Sequence, residues 1–241
     1  MDRPKVIPFK DMIIEEDEHF VFINKPAHYS SLDDRHGDVF SIIRQAKKHD
    51  SNLQLCHRLD KETSGLLVIA KNEQVYREMA MLFEKRQVMK IYHAVCMGIL
   101  NVTEQSIKLP LGQTAKGIAK IDMREGKPSE TLVTTLKNYR HYSLLACMPI
   151  TGRLHQIRIH LASQNFPLVA DETYGGKKPF LSEIKPRFKE GKWENAEPMM
   201  KRVALHAYSM HFHLFEKDYH IEAPYPKDFS VLIKQLEKFD S

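Results

Sequence analysis

Three places in this 241-residue chain hold side chains able to do chemistry next to stretches that read as buried structure. His57-Arg58-Leu59-Asp60 stands just before Lys61-Glu62-Thr63-Ser64 and the apolar run from Gly65 to Lys71. A carboxylate on the loop entering a core strand is carried by a rigid scaffold. Arg58, two residues away, can pair with it or reach outward to a phosphate. In TGRLHQIRIH, a rotation of ~100° per residue puts Leu154, Ile157 and Leu161 on one face, with Arg158 at its edge. A guanidinium beside a core-facing stripe needs an anionic partner or must stay partly wet. Asp60 is one candidate partner, and a head that reaches to water over a packed stem is the other reading. Tyr92, in KIYHAVCMG, taken alone is an ordinary strand residue.

Other chemistries find less support. His155 and His160 are five apart, the wrong spacing for two metal ligands on one helical face, and His211-x-His213 is a weak chelate. No Gly-x-Ser-x-Gly elbow, Gly-x-Gly-x-x-Gly or phosphate-loop motif occurs, so a serine hydrolase and a nucleotide cofactor are not expected. A glycosidase working on small molecules would need a second carboxylate beside Asp60, for which Glu62 is nearest. The expectation is an enzyme with no cofactor and no metal.

The elements that must position these residues can be read from periodicity. His19 to Ala27 is an apolar strand stopped at Lys25-Pro26, because proline cannot continue a ladder. A polar loop and a helix ending in lysines follow, through Asp50. Gly65 to Lys71 reads as a fully buried strand. NEQVYREMAMLFEKR places Val75, Met79, Leu82 and Phe83 at helical spacing, and KIYHAVCMGIL returns to strand character. SETLVTTLKNY and HYSLLACMPI form a hairpin around Arg140. TGRLHQIRIHLASQN opens a helix with Thr151 as N-cap. ALHAYSMHFHLF and YHIEAP pair as strands before a closing helix, DFSVLIKQLEKF. Lys177 to Arg202 has three prolines, no periodicity, and eight basic residues against four acidic, a local net of +4. Loops of this length are usually functional or mobile, and a solvated insertion is the plain alternative. Strands and helices without strict alternation give an α+β class, read as a single domain over residues 1–241 with two halves facing each other across a catalytic cleft.

Composition sets the outer bounds. The net charge is +5, which permits a polyanionic partner without requiring one. The mean hydropathy is −0.43, and no apolar run nears the ~18 residues that span a bilayer, so no membrane partner is expected. MDRPKVIPFKDMIIEEDE offers no apolar core for a signal peptide, which makes the cytoplasm the expected compartment. Cys56, Cys96 and Cys147 lie far apart and are odd in number, so they read as reduced thiols.

Taken in order, these stretches resemble the RluA family of RNA pseudouridine synthases. HRLDKETSGLLVIAK (His57 to Lys71) matches the first signature, H-R-L-D-x-x-T-S-G-L-L-V, at every position. KIYHAVCMG is similar to the K-x-Y-x-A-x-x-x-G strand. TGRLHQIRIHLA, followed by Pro167 and DETYGG, resembles the third signature, and ALHAYSMHF…EAPYPKDF the closing pattern. The likeness runs from about Ile14 to Phe239.

The resemblance implies the pseudouridine synthase fold, a mixed and mainly antiparallel sheet flanked by helices. It implies an isomerase that converts chosen uridines of rRNA or tRNA to pseudouridine. Asp60 falls on the essential aspartate, Tyr92 on the tyrosine that stacks on the target base, and Arg158 on the basic residue that pairs with the aspartate. Arg58 falls on the arginine that enters the space left by the flipped nucleotide, with His57 beside it and Lys177 and Lys178 as further RNA contacts. Breaking a C1′–N1 bond suits an ionised carboxylate, and a flipped base suits an aromatic face. The chain departs from the family at His28 and Ala170, where glycine is usual, and at Leu154, where threonine or serine is frequent. About fourteen residues precede the first matched strand, too few for the S4 domain of many relatives. A structured stem-loop RNA bound by a monomer is therefore the expected partner. A non-catalytic RNA-binding or ribosome-assembly protein on the same fold is the alternative, and such a relative would be expected to lose one of the three residues that are all present here.

Overall fold

A computed structural model of the chain describes residues 6–33, 41–185 and 197–240. After a 3-10 turn at Phe9–Met12, the strands in chain order are β1 (Ile13–Glu16), β2 (Phe20–Lys25), β3 (Gln54–Leu55), β4 (Ser64–Ala70), β5 (Met89–Met97) and β6 (Gln105–Lys108). They continue with β7 (Leu111–Gln113), β8 (Ala119–Ile121), β9 (Glu130–Asn138), β10 (Tyr142–Pro149), β11 (Leu205–Leu214) and β12 (Lys217–Glu222). The helices are α1 (Ile42–His49), α2 (Glu73–Glu84), α3 (Gln156–Ser163), α4 (Leu181–Ile184) and α5 (Lys227–Phe239). The mixture is α+β, as the sequence predicts.

The chain divides into two compact units, Met1–Lys90 with Ala207–Pro224, and Ile91–His206 with Tyr225–Ser241. In the first, strands run in the order β1-β2-β4-β11, with β12 on β11 and β3 on β4. All seven residues of β4 are buried, which is why that strand reads as an unbroken apolar run. Its second residue, Gly65, has φ +114°, and a Cβ there would lie 2.2 Å from the Ala207 carbonyl oxygen, so only glycine lets the backbones approach. Phe20, Phe22, Val68, Phe212 and Tyr219 build the core that α2 closes with Val75 and Met79. The Asn72 side chain caps α2 by accepting from the Val75 N–H at 3.0 Å.

The second unit holds the antiparallel order β5-β10-β9-β6 and a separate two-stranded ribbon, β7-β8. Alternation along the strands loads both faces of its sheet. Ala94, Cys96, Leu145 and Cys147 pack with Ile157 and Leu161 of α3, whereas Val95 and Leu144 pack with Phe229, Leu232 and Leu236 of α5.

Two expectations are corrected here. Thr151 does not cap α3: the helix starts at Gln156, its N-cap is His155 in a left-handed conformation, and the Thr151 hydroxyl instead donates to Gln156 Oε1 at 2.7 Å. Arg202 is not a surface cation of the basic stretch. It is 1% exposed, forks onto Asp228 at 2.7 and 3.0 Å, and donates to the Val203 and Leu205 carbonyls, tying α5 to the approach to β11. Elsewhere in that stretch α4 forms and Ile184 and Met200 are buried. Residues 186–196, including Arg187, lie outside the described residues.

Candidate active site

Asp60 sits in the connection between β3 and β4, and the main chain on either side of it is clamped. The buried Ser31 hydroxyl donates to the Leu59 carbonyl and accepts from the Leu59 N–H, both at 2.9 Å. The Lys61 carbonyl accepts from the His28 N–H at 2.7 Å and from the ammonium of Lys25 at 3.4 Å. Lys25 is 0% exposed and also donates to the carbonyls of Pro26 and Tyr29 at 3.0 and 2.9 Å, so its charge is solvated by backbone oxygens. A turn closes the loop, with the Thr63 N–H bonded to the Asp60 carbonyl.

His57 is built into this support. Its Nε2 accepts from the Val68 N–H at 3.2 Å, which puts the ring proton on Nδ1, and the ring lies against Phe83. Burial, with a contribution from the Lys90 ammonium, pulls its pKa down to about 3, so the ring is neutral at pH 7. Arg58 is exposed on the same loop.

In the second unit, Tyr92 on β5 lies opposite Cys147 of β10, on the sheet face that α3 covers. Arg158 on α3 is 6% exposed and forks onto Asp171: Nε and Nη2 donate to the two carboxylate oxygens, each at 2.7 Å. Nη1 is outside that fork. The Tyr174 ring covers the guanidinium at 5.1 Å, and its hydroxyl meets His155 Nδ1 at 2.9 Å and donates to the Ala119 carbonyl of β8 at 3.1 Å.

What fixes α3 itself is a polar network with a consistent proton order. Gln156 Nε2 donates to the Glu130 carbonyl and to Thr131 Oγ1, and its Oε1 accepts from Thr151 Oγ1 and the Arg153 N–H. Ser129 Oγ donates to the Leu109 carbonyl, so it accepts from His160 Nε2; Nδ1 of that ring then accepts from Thr131. Burial lowers the His160 pKa, in keeping with a neutral ring.

The residues singled out in the sequence are thus carried by different parts of the chain. His57, Arg58 and Asp60 share one loop of the first unit; in the second, Tyr92 lies on a sheet face and Arg158 on the helix that covers it. Lys177 is exposed, and Lys178 pairs with Glu172 at 3.1 Å. Sequence reasoning did not name Asp171 as a partner of Arg158. Its only signal was a carboxylate standing at the head of DETYGG. Among the described residues no group of three or more His, Cys, Asp or Glu side chains is placed to hold a metal ion.

The fold and the motifs that carry these residues can be set beside known proteins. A family model described as RNA pseudouridylate synthase matches residues 19–163, a span that includes Asp60, Tyr92 and Arg158. The chain is 35% identical over 238 residues to ribosomal large subunit pseudouridine synthase C of Buchnera aphidicola subsp. Baizongia pistaciae (strain Bp), covering 95% of this chain and 72% of that one. The protein of the same name in Salmonella typhi is 31% identical, with 96% and 72% covered. The solved structure of human RNA pseudouridylate synthase domain containing 4 shares the fold, with a TM-score of 0.73 at 23% identity, covering 95% of this chain and 94% of that one. The chain belongs to the RNA pseudouridylate synthase family and is an isomerase of RNA uridines.

Proposed function

We propose that this enzyme acts on RNA of the large ribosomal subunit, with Asp60, Tyr92 and Arg158 as its catalytic set. The observation that carries the reading is the unbroken His57–Val68 signature, with Asp60 on a loop whose backbone is clamped on both sides. The relatives named for the large subunit support the choice of RNA. The target uridine leaves its stack, and its C1′–N1 bond breaks. The uracil turns, C1′ bonds to C5, and the proton on C5 is lost as N1 gains one, so the change is an isomerisation. Asp60 is the group that attacks the nucleoside or helps move its proton. Tyr92 offers its face to the flipped base and takes part in proton removal from C5. Arg158 supplies the positive charge that favours an ionised aspartate. Arg58, exposed beside Asp60, enters the space the base vacates. His57 orients that loop, and Lys177 and Lys178 add phosphate contacts. The enzyme works as a monomer in the cytoplasm on a structured stem-loop.

Pseudouridine mapping of ribosomal RNA from cells with and without the gene tests this. One or more large-subunit positions should lose the modification, and the wild-type gene but not Asp60→Asn should restore it. Unchanged large-subunit RNA, or restoration by Asp60→Asn, would overturn the reading.

A further inference from the structure

A cleft of about 490 Å³ opens in the second unit, between the β7-β8 ribbon and the loop that leads into α3. Its walls are Leu111 to Gln113, Glu125 and Lys127 on one side and Gly152 to Leu154 on the other. That volume lies in the ~300–1,000 Å³ range of ligand pockets. Both walls are fixed. Lys127 and Leu111 exchange backbone hydrogen bonds at 2.9 Å, and the Arg153 N–H is held by Gln156 Oε1 at 3.0 Å. Lys127 and Arg153 are exposed cations, and Glu125 adds one carboxylate.

Gly152 gives the cleft its meaning. Gly117 and Gly175, like Gly152, have open space where a Cβ would stand, but both have positive φ, which explains the glycine. Gly152 has no such φ and no neighbour within 4 Å of a Cβ. Among the described residues nothing requires a glycine there, so the missing side chain keeps room for something outside the chain.

We propose that this cleft binds a stretch of the RNA strand next to the target nucleotide. Lys127 and Arg153 meet phosphates, Glu125 accepts from a ribose 2′-hydroxyl, and the backbone at Gly152 allows close approach. The same short segment, 152–158, then carries both the RNA contact and Arg158. The assignment rests on the RNA-modifying reading above but concerns binding, so the two can fail separately.

The probe is a transcript of the organism's large-subunit RNA, with binding measured across salt and pseudouridine formation scored on the same sample. Gly152→Leu should melt with the wild type, since its Cβ meets nothing, yet bind at least about 10-fold more weakly. Lys127→Ala and Arg153→Ala should each flatten the slope of log K against log salt by about 0.7–0.9. Binding by Gly152→Leu within twofold of wild type, or unchanged slopes in both alanine variants, overturns the cleft even if pseudouridine forms. Weakened binding by the variants, with no pseudouridine made by the wild type, sustains the cleft and sinks the choice of RNA target. A wild type that does not bind the transcript overturns both.

Discussion

Around Asp60 the main chain is held on both sides: Ser31 on both backbone groups of Leu59, Lys25 and His28 on the carbonyl of Lys61. Around Arg158 the contacts fall on the side chain, through two charged bonds to a carboxylate that is itself 1% exposed and a tyrosine ring laid over the guanidinium. The backbone of the loop thus has supports that do not pass through the Asp60 carboxylate. On the helix the functional group is itself a structural one, because it holds Asp171. A loss of activity consequently carries different information at the two positions.

The largest effect expected from this contrast is on stability. Arg158→Ala leaves Asp171 buried without its partner, at a cost of about 3–5 kcal/mol, whereas Asp60→Asn should stay within about 0.5 kcal/mol of wild type. Urea midpoints for both variants measure it. The double variant Arg158→Ala with Asp171→Asn should recover part of the loss, since the stranded charge is gone. Equal stability of Arg158→Ala and Asp60→Asn would show the Asp171 pair to be of no structural weight.

A smaller effect compares two neutral histidines, His57 beneath the Asp60 loop and His160 beneath α3. Both have pKa values lowered by burial, His57 to about 3, against 6.5 for an unhindered ring. Above pH 6.5 neither form of the chain binds the proton, and the stabilisation from the neutral rings is complete. As the pH falls below 6.5, the unfolded chain takes up protons that the folded one refuses. Stability then declines by up to about 1.4 kcal/mol per pH unit for each ring, for His57 down to about pH 3. Denaturant titrations between pH 7 and 5 should show this slope, and His57→Gln should remove one ring's share of it. A His57→Gln slope equal to that of wild type would mean the native His57 ring takes up a proton.

The smallest effect is a gain. Ala170, just before Asp171, has φ 60°, and His28, beside Lys61, has φ 69°. Both are left-handed positions, where glycine is free of strain; a left-handed alanine costs roughly 1–2 kcal/mol, partly offset by glycine's greater freedom when unfolded. Ala170→Gly should raise stability by about 1 kcal/mol with turnover unchanged. A fall in melting temperature would mean that the alanine methyl contributes more in packing than its backbone costs.

Much of this was legible in the chain itself. The buried run after Gly65, the Val75–Met79 stripe of α2, the hairpin around Arg140 and the pairing of the two late strands all follow from local periodicity, which backbone geometry imposes within each element. Asp60, Tyr92 and Arg158 were singled out because their neighbours in sequence form a pattern. The start of α3 was misplaced because it is set by Gln156 reaching Glu130 and Thr131, some 25 residues away, rather than by a hydroxyl at Thr151. The burial of Lys25 and Arg202 could not be read either. A lysine or arginine in sequence reads as surface, and only the carbonyls and the carboxylate gathered around these two make their burial affordable. The partner of Arg158 belongs to the same class. The helical stripe left the guanidinium either an anion or water, and the turn through left-handed Ala170 brings Asp171 to it. Sequence periodicity specifies which side chains must be buried, and the path of the chain in three dimensions specifies which charges meet there.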